Sequence, residues 1–380
     1  MKIIYIAIKG IEKIGGIETY TFEAGRRLAA MGHEVIIYTL KNEHHTKTYH
    51  YEGMTIIPLS AFRNSSLAKL FLVIHASLHQ FSIRNVDVVH YHAIGPSLFC
   101  FIPRLIGRKT VVQSHGHEWQ RSSWGWLATK FFHFAEKYSF VFANQITSVS
   151  RELKEDYEKK YDREVHYIPN GVNPAKPLEA NLIKEFGVVE NNYILFLGRI
   201  SREKGIHYLI EAYQQLETSM QLVIVGEQRE GDKYFAELKE LANGNPNILF
   251  TGIATGDLWR EWYSNAGIFV LPSEIEGLPT SLLEAMSFSR CCLVSDIAAN
   301  CEALGDTGAI FKNADIGSLH NELKELIHNP EKRDEMGQSA KIRTDTIYGW
   351  DSISKELEKF YLDLSDKHKP QVPSPKLDSL

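Results

Sequence analysis

The segment NYILFLGRISREKG, residues 192–205, decides the fold class of this chain. It begins with an uninterrupted apolar run and continues as a polar loop that is bounded by two glycines. A short apolar run without polar alternation predicts a strand that is buried on both faces, as in parallel sheets covered by helices. The segment therefore predicts that a parallel α/β sheet starts near residue 192.

Runs of the same kind recur from end to end of the chain, with helical patterns between most of them. Those of the first half are IIYIAI (3–8), HEVIIYT (33–39), MTIIPL (54–59), DVVHYH (87–92), KTVVQSH (109–115), QITSVS (145–150) and VHYIP (165–169). Those of the second half are MQLVIVG (220–226), NILFTG (247–252), GIFVLPS (267–273) and CCLVSD (291–296). Two such series predict an α/β chain of two doubly wound, Rossmann-like domains that face a cleft.

The boundary between the two series is marked by NPAKPLEA (173–180), where two prolines stand among small residues. We expect a first domain over residues 1–175 and a second over residues 176–345. Residues 346–365 carry an amphipathic helix whose apolar stripe either domain could cover. That stripe comprises Ile353, Leu357, Phe360, Tyr361 and Leu364. Residues 366–380, with three prolines and no apolar periodicity, are predicted to be disordered.

Composition excludes several classes of protein. The apolar, charged, glycine and proline contents lie near globular averages, which excludes collagen-like, disordered and disulfide-scaffold chains. With 47 acidic and 42 basic residues the net charge is −5, so charge gives no reason to expect a nucleic-acid partner. No apolar stretch approaches the ~18 residues of a spanning helix, and the apolar part of the opening MKIIYIAIKG is too short for a signal peptide. The four cysteines form no C-x-x-C or zinc-ligand pattern, so we expect a cytoplasmic chain with reduced thiols.

Candidate functional residues follow the first strand in GGIETY (15–20). Gly15 and Gly16 let the backbone approach a ligand without interference from a Cβ atom, and the start of a helix offers N–H groups to an anion. The segment is neither the G-x-G-x-x-G of dinucleotide-dependent oxidoreductases nor a P-loop. An ordinary turn is therefore the alternative.

Two basic residues follow the strand at residues 192–198. Arg199 and Lys204 lie at a carboxyl end, where open α/β sheets bind their ligands. A forked guanidinium near an ammonium group suits a diphosphate. A solvated basic loop is the alternative interpretation.

The most informative segment is SEIEGLPTSLLEAM (273–286), in which Glu276 and Glu284 form an E-x7-E pattern around Gly277. Glu276 follows a strand, and Glu284 is predicted about one turn into the next helix. The helix N-terminus offers N–H groups to a phosphate, while the carboxylates can accept hydrogen bonds from hydroxyls. A sugar nucleotide presents these groups along its length, whereas a cap and an ion-pair partner are the alternative roles of the two glutamates.

The motifs, taken in order, resemble those of the GT-B-fold glycosyltransferases of family four over nearly the whole chain. They are GGIETY, QSHG (113–116), SVSR (148–151), IPNGV (168–172), the loop after residue 197, LVIVG (222–226) and the E-x7-E segment. Three further segments are closest to members that build bacterial surface polysaccharides, namely HGHEWQ (115–120), GLPTSLLEAM (277–286) and VSDIAAN (294–300). The resemblance implies the GT-B architecture, in which the C-terminal helix crosses back to the first domain.

The resemblance also implies a role for each candidate residue. Arg199 and Lys204 would hold the donor diphosphate, Glu284 the ribose hydroxyls, and Glu276 the hydroxyls of the transferred sugar. His115 would lie beside the donor sugar at the reaction centre. Backbone groups would contact sugar and phosphate at Gly277, Leu278, Thr280 and Ser281, and would approach the phosphate from the opposite domain at Gly15 and Gly16.

The reaction implied is transfer from a nucleotide-diphosphate sugar to a saccharide or lipid-linked saccharide, with retention and without a further cofactor. The chain has no D-x-D, which predicts that no metal is essential. It departs from the family at residues 289–291, where Ser-Arg-Cys replaces a small residue, glycine and proline, and we expect this to alter only a turn. Alternatives are Glu276 as a covalent nucleophile, a nucleotide-sugar epimerase or hydrolase on the same fold, and a silent nucleotide-binding module.

A peripheral contact with the inner face of the membrane is a further hypothesis. Residues 119–142 interleave aromatic side chains, among them Trp124, Trp126 and Phe134, with Arg121, Lys130 and Lys137. Such a mixture suits an interfacial helix that meets a lipid-linked acceptor, and a core helix is the alternative. Residues 61–83 are a second, weaker candidate.

Overall fold

The computed structural model describes residues 1–6, 8, 10, 15–60, 68–117, 119, 125–228 and 231–366. The predicted disordered tail beyond residue 366 lies outside the described residues. So do residues 61–67 and 120–124, which belong to the two candidate membrane segments.

The first sheet is built from strands of the first half of the chain. Its strands are β1 (Lys2–Ile6), β2 (Glu34–Leu40), β3 (Tyr49–Tyr51), β4 (Met54–Leu59), β5 (Val88–His92), β6 (Lys109–Ser114), β7 (Gln145–Ser148) and β8 (His166–Tyr167). Within the described residues they are ordered β3-β4-β2-β1-β5-β6-β7-β8, and β3–β4 is the antiparallel pair. The helices of this half are α1 (Gly16–Ala30), α2 (Ala68–His79), α3 (Ile94–Ser97), α4 (Phe101–Arg104), α5 (Trp126–Phe142) and α6 (Arg151–Tyr161).

The second sheet is parallel throughout. Its strands are β9 (Tyr193–Leu197), β10 (Gln221–Val225), β11 (Ile248–Gly252), β12 (Ile268–Leu271), β13 (Cys292–Ser295) and β14 (Ala309–Phe311), in the order β11-β10-β9-β12-β13-β14 among the described residues. Its helices are α7 (Ile206–Gln214), α8 (Lys233–Ala242), α9 (Gly256–Ser264), α10 (Thr280–Ser287), α11 (Ala298–Leu304), α12 (Ile316–His328) and α13 (Pro330–Ile347). Both sheets are doubly wound, as the sequence predicts.

The last helix, α14 (Trp350–Asp366), returns to the first sheet, which confirms the predicted crossing. The residues of its apolar stripe are all buried, in one core with β1, β2 and α1. Polar contacts support this docking, since Arg27 Nε donates to Asp351 Oδ1 at 2.6 Å and the ring of His33 lies 2.7 Å from Glu358 Oε1.

Two strands are absent from the sequence prediction, and both are short. Tyr49–Tyr51 is a largely exposed edge strand of three residues, and Ala309–Phe311 also has three. Neither forms a long apolar run, because an edge strand is not buried on both faces. The other strands agree with the predicted segments to within a few residues.

Candidate active site

The candidate site of the second sheet lies at its topological switch point. Strands β9 and β12 are neighbours, and the chain leaves them towards opposite sides of the sheet. Crevices at such points bind ligands beyond the carboxyl ends of the strands. Arg199 and Lys204 follow β9, and Glu276 follows β12, so the fold brings together loops that are more than 70 positions apart.

Lys204 and Glu276 form an ion pair in this crevice. Lys204 Nζ donates to Glu276 Oε1 at 2.5 Å, and Ser273 Oγ donates to the same oxygen at 2.8 Å. The two side chains of the ion pair are only 12% and 10% exposed. Arg199, by contrast, is 63% exposed and lies 3.9 Å from Glu203, so its guanidinium remains accessible at the edge of the crevice.

Gly205 permits the close approach of the two loops. Its φ of +65° lies in the left-handed region, and an added Cβ would lie 2.0 Å from the carbonyl oxygen of Pro272. Glu274 N donates to Glu203 O at 2.9 Å, which joins the loops through their backbones. A residue with a Cβ atom at position 205 would separate Lys204 from Glu276.

Glu284 lies on α10, one turn after its first residue, as predicted. Tyr263 OH donates to Glu284 Oε2 at 3.0 Å and also reaches Ser281 O at 3.2 Å. Burial raises the pKa of Glu284 to about 7, and the hydrogen bond from Tyr263 opposes this shift. Thr280 and Ser281 are in the first turn of α10, where backbone N–H groups have no preceding helical carbonyl to bind.

Across the cleft, the loop that follows β6 meets the loop of Glu276. An added Cβ at Gly277 would lie 2.1 Å from the carbonyl oxygen of His115, so only glycine fits there. Gly116, which has a φ of +140°, also lies against Gly277. Asn170 Nδ2 donates to Leu278 O at 2.9 Å in a buried contact. The fold therefore places His115 next to the E-x7-E segment of the other domain.

Gly15 and Gly16 lie at the start of α1, after β1. Gly15 is the N-cap residue of that helix, and an added Cβ at Gly16 would meet no atom of the described residues within 4 Å. Among the residues that the structure describes, none therefore packs against position 16 closely enough to require glycine there.

Some residues at the contact between the domains were missed by the sequence analysis. Glu302 Oε2, on α11, accepts a hydrogen bond from Arg151 N at the start of α6, at a distance of 2.8 Å. Ser150 caps the same helix through its side chain, which gives a structural role to the second serine of the SVSR motif. Asn170 lies in the quoted IPNGV motif, but its contact with Leu278 becomes visible only when the domains are assembled. Residues such as Glu302, which belong to no motif, carry no sequence signal for such a role.

Comparison with known proteins covers both halves of the chain. The sequence-family model described as Glycosyltransferase Family 4 matches residues 14–176, and the one described as Glycosyl transferases group 1 matches residues 180–343. The chain belongs to the family-four glycosyltransferases. The glycosyltransferase resemblance and the GT-B fold expected from the sequence are thereby confirmed.

Individual relatives agree with this assignment. The glycosyltransferase is 28% identical over 304 residues to an uncharacterized glycosyltransferase of Methanocaldococcus jannaschii, a match that covers 73% of this chain and 76% of the relative. Its fold is similar to that of sucrose-phosphate synthase from Thermosynechococcus elongatus, with a TM-score of 0.84, 20% identity and coverage of 96% and 99% of the two chains. It is also similar to Anabaena HepE in complex with UDP-glucose, with a TM-score of 0.78, 15% identity and coverage of 96% and 100%.

The surface of the first domain of the glycosyltransferase carries an apolar strip on α5. Its exposed members are Trp126, Leu127, Phe131, Phe134, Tyr138 and Val141. Ala135 and Phe140 on the opposite face of the helix are buried, so α5 is packed on one side and open on the other. Among the helices of the described ranges, none has both the length and the apolar character that a bilayer crossing requires. Those ranges also contain no group of three or more His, Cys, Asp or Glu residues suited to a metal ion.

Proposed function

We propose that this glycosyltransferase transfers a sugar from a nucleotide-diphosphate sugar to a saccharide or lipid-linked saccharide, with retention and without an essential metal. The observation that carries the proposal is the pairing of Lys204 with Glu276 at the switch point, opposite the carbonyl of His115. HepE, whose fold is similar, is described in complex with UDP-glucose, which supports a donor of this class.

The cations of the crevice would bind and stabilise the leaving group. When the bond between the sugar and the diphosphate breaks, negative charge grows on the diphosphate. The guanidinium of Arg199, the ammonium of Lys204 and the N-terminus of α10 can offset that charge, which is the largest contribution in many transfers. These groups provide the electrostatic help that a D-x-D-bound metal would otherwise supply.

The carboxylates would bind hydroxyls. Glu276 already accepts from Lys204 and Ser273, and an ion-paired carboxylate is a weaker nucleophile than a free one, so a covalent adduct is not part of the proposal. Glu284 would bind the ribose hydroxyls. In the retaining reaction the acceptor hydroxyl attacks the sugar carbon on the face from which the diphosphate leaves, and its proton passes to the departing phosphate oxygen.

The test is a thermal-shift panel of UDP-, GDP- and dTDP-linked sugars. A donor at ~100 times its Kd should add about 2.7 kcal/mol to the free energy of unfolding, which raises the melting temperature by a few degrees. Lys204→Ala should abolish this shift without lowering the donor-free melting temperature by more than a few degrees. Lys312→Ala is the matched control, because Lys312 forms a solvent-exposed pair with Asp315 in the same domain. A panel without any shift would contradict the proposed donor class.

Metal independence has a separate test. Transfer activity should stay within about twofold after treatment with a chelator. Loss of activity that magnesium restores would overturn this part of the proposal and leave the donor class intact.

The acceptor side of the proposal is a lipid-linked saccharide of bacterial surface-polysaccharide synthesis, met at the inner face of the membrane. The exposed strip on α5 supports it, because apolar side chains lie beside Lys130, whose ammonium is 4.8 Å from the Trp126 ring, and Lys137. This combination suits an interface with anionic lipids. Flotation with anionic vesicles should recover the protein, and Trp126→Ser with Phe134→Ser should prevent recovery. The control is Ile342→Ser, because Ile342 is an equally exposed apolar residue on α13. If neither the wild type nor Ile342→Ser floats with the vesicles, the proposed membrane contact is wrong.

A further inference from the structure

A buried group of histidines and tyrosines lies directly behind His115. It consists of His90 and His92 of β5 with Tyr5 of β1, Tyr20 of α1 and Tyr361 of α14, all of which are at most 1% exposed. The two histidines point to the face of the sheet that packs on α1 and α14, where their strand neighbour Val88 also lies. Burying an imidazole costs free energy that a valine would not, so a purely structural layer gives no reason for two of them.

Contacts connect this cluster to the reaction centre. His92 Nδ1 lies 3.4 Å from His115 Nε2, a long hydrogen bond of the kind that can tighten when a ligand binds. The ring of Tyr20 stands edge-on to that of His115, with centroids 5.6 Å apart. Across the cleft the carbonyl of His115 faces Gly277. His115 therefore contacts His92 on its buried side and the second domain on the side of the cleft.

His92 is itself held in place from behind. The ring of His90 stacks on it with centroids 4.4 Å apart and an interplanar angle of 24°. His90 Nδ1 lies 2.5 Å from Tyr361 OH, which lies 3.3 Å from Tyr5 OH. Burial, with a smaller contribution from His115, lowers the pKa of His90 to about 3, so its ring stays neutral. Tyr361 of α14 is thus the last member of a series of side-chain contacts that leads through His90 and His92 to His115.

We propose that His92, supported by His90 and Tyr361, is a positioning residue that sets the orientation and the tautomer of His115. A partner at one ring nitrogen determines which nitrogen carries the proton and how the ring is turned. This inference rests on the proposed function, because only there does His115 lie beside the donor sugar. The two can fail separately, since the tautomer of His115 can be measured without any donor.

The variants are chosen by the position of the hydrogen-bonding atom. His92→Asn keeps a polar group near the place of Nδ1, whereas His92→Gln moves it towards the place of Nε2, and His92→Phe removes it while keeping a ring. Tyr91→Phe is the control for packing, because Tyr91 is a fully buried residue of the same strand that points to the opposite face and bonds to Ser77.

The first readout is the pair of ring ¹⁵N shifts of His115 in the donor-free, full-length chain labelled at histidine. The signals are assigned by their loss in His115→Ala. Wild type, His92→Asn and Tyr91→Phe should show two well-separated shifts, as one tautomer does. In His92→Gln and His92→Phe the shifts should move towards each other, because the tautomers then exchange. Well-separated shifts in both of the latter variants would overturn the proposal.

The second readout is turnover of the donor found in the thermal-shift panel. His92→Gln and His92→Phe should lower kcat at least tenfold and change the donor KM less than threefold, while His92→Asn and Tyr91→Phe should keep kcat within threefold. An equal loss of kcat in His92→Asn and His92→Phe would overturn the proposal. If His92→Phe does not fold, His92→Asn and His92→Gln still compare the two positions of the polar atom. If His92→Asn does not fold, the ¹⁵N shifts of His92→Gln and His92→Phe still test the proposal.

Discussion

Replacement of Gly277 by alanine tests whether the two domains must touch for transfer to occur. The added Cβ would lie 2.1 Å from the carbonyl oxygen of His115 and 3.3 Å from Gly116 N. Ordinary contacts of this kind begin at about 3.4 Å, so the loops must move apart by about 1.3 Å. Both sides of the contact are backbone, and no side-chain rotation can relieve it.

The cost should appear mainly in the reaction rate. A misplacement of about 1 Å at a reaction centre costs on the order of a hundredfold, or about 2.7 kcal/mol of transition-state stabilisation. Stability should fall less, because the buried hydrogen bond from Asn170 to Leu278 O contributes about 1 kcal/mol. Steady-state kinetics with the donor identified by thermal shift would therefore show kcat/KM about a hundredfold lower.

The matched control is Gly317→Ala. Gly317 lies in α12 of the same domain, and an added Cβ there makes only an ordinary contact of 3.5 Å with Asp315. This variant should keep wild-type kcat/KM and melt at the same or a slightly higher temperature. If Gly277→Ala keeps kcat/KM within threefold of wild type, the approach of the His115 loop to the second domain is not required for transfer.

Three further changes test individual residues. Gly16→Ala should leave the melting temperature unchanged, because its Cβ meets no atom of the described residues, yet raise the donor KM at least tenfold; an unchanged KM would argue against a phosphate beside Gly16. Glu284→Gln should remove a loss of stability that the wild type suffers as the pH rises from about 5 to 8. Burial raises the folded-state pKa of Glu284 to about 7, above its unfolded value. The stabilising contribution of Glu284 is therefore fully present below the unfolded pKa and is lost as the pH rises through 7, so that the free energy of unfolding measured in urea falls by at most about 3 kcal/mol. Ser289→Gly should add up to about 1 kcal/mol in the same assay, since Ser289 has a φ of +58°, which glycine adopts without a steric cost, and no gain would mean that the strain is compensated.

The sequence predicted the elements of the site better than their contacts. Glu284 could be assigned to the first turns of a helix because a proline and a threonine precede it after a strand. Its contact with Tyr263 could not be predicted, since nothing within α9 indicates that its tyrosine meets α10. The same holds for Lys204 and Glu276, whose roles were inferred separately and whose ion pair depends on the adjacency of β9 and β12. Strand order is a long-range property that local patterns do not encode.

The sequence alone determined that this chain has two parallel α/β domains, because buried strands and amphipathic helices leave periodic patterns that neighbouring residues are sufficient to reveal. Its motifs, in their order, also determined the glycosyltransferase family. The tertiary structure decided which face of each domain meets the other, and so why position 277 must be glycine and why His115 lies in front of a buried histidine pair. These properties depend on distances between atoms that are far apart along the chain, and only the folded packing sets those distances.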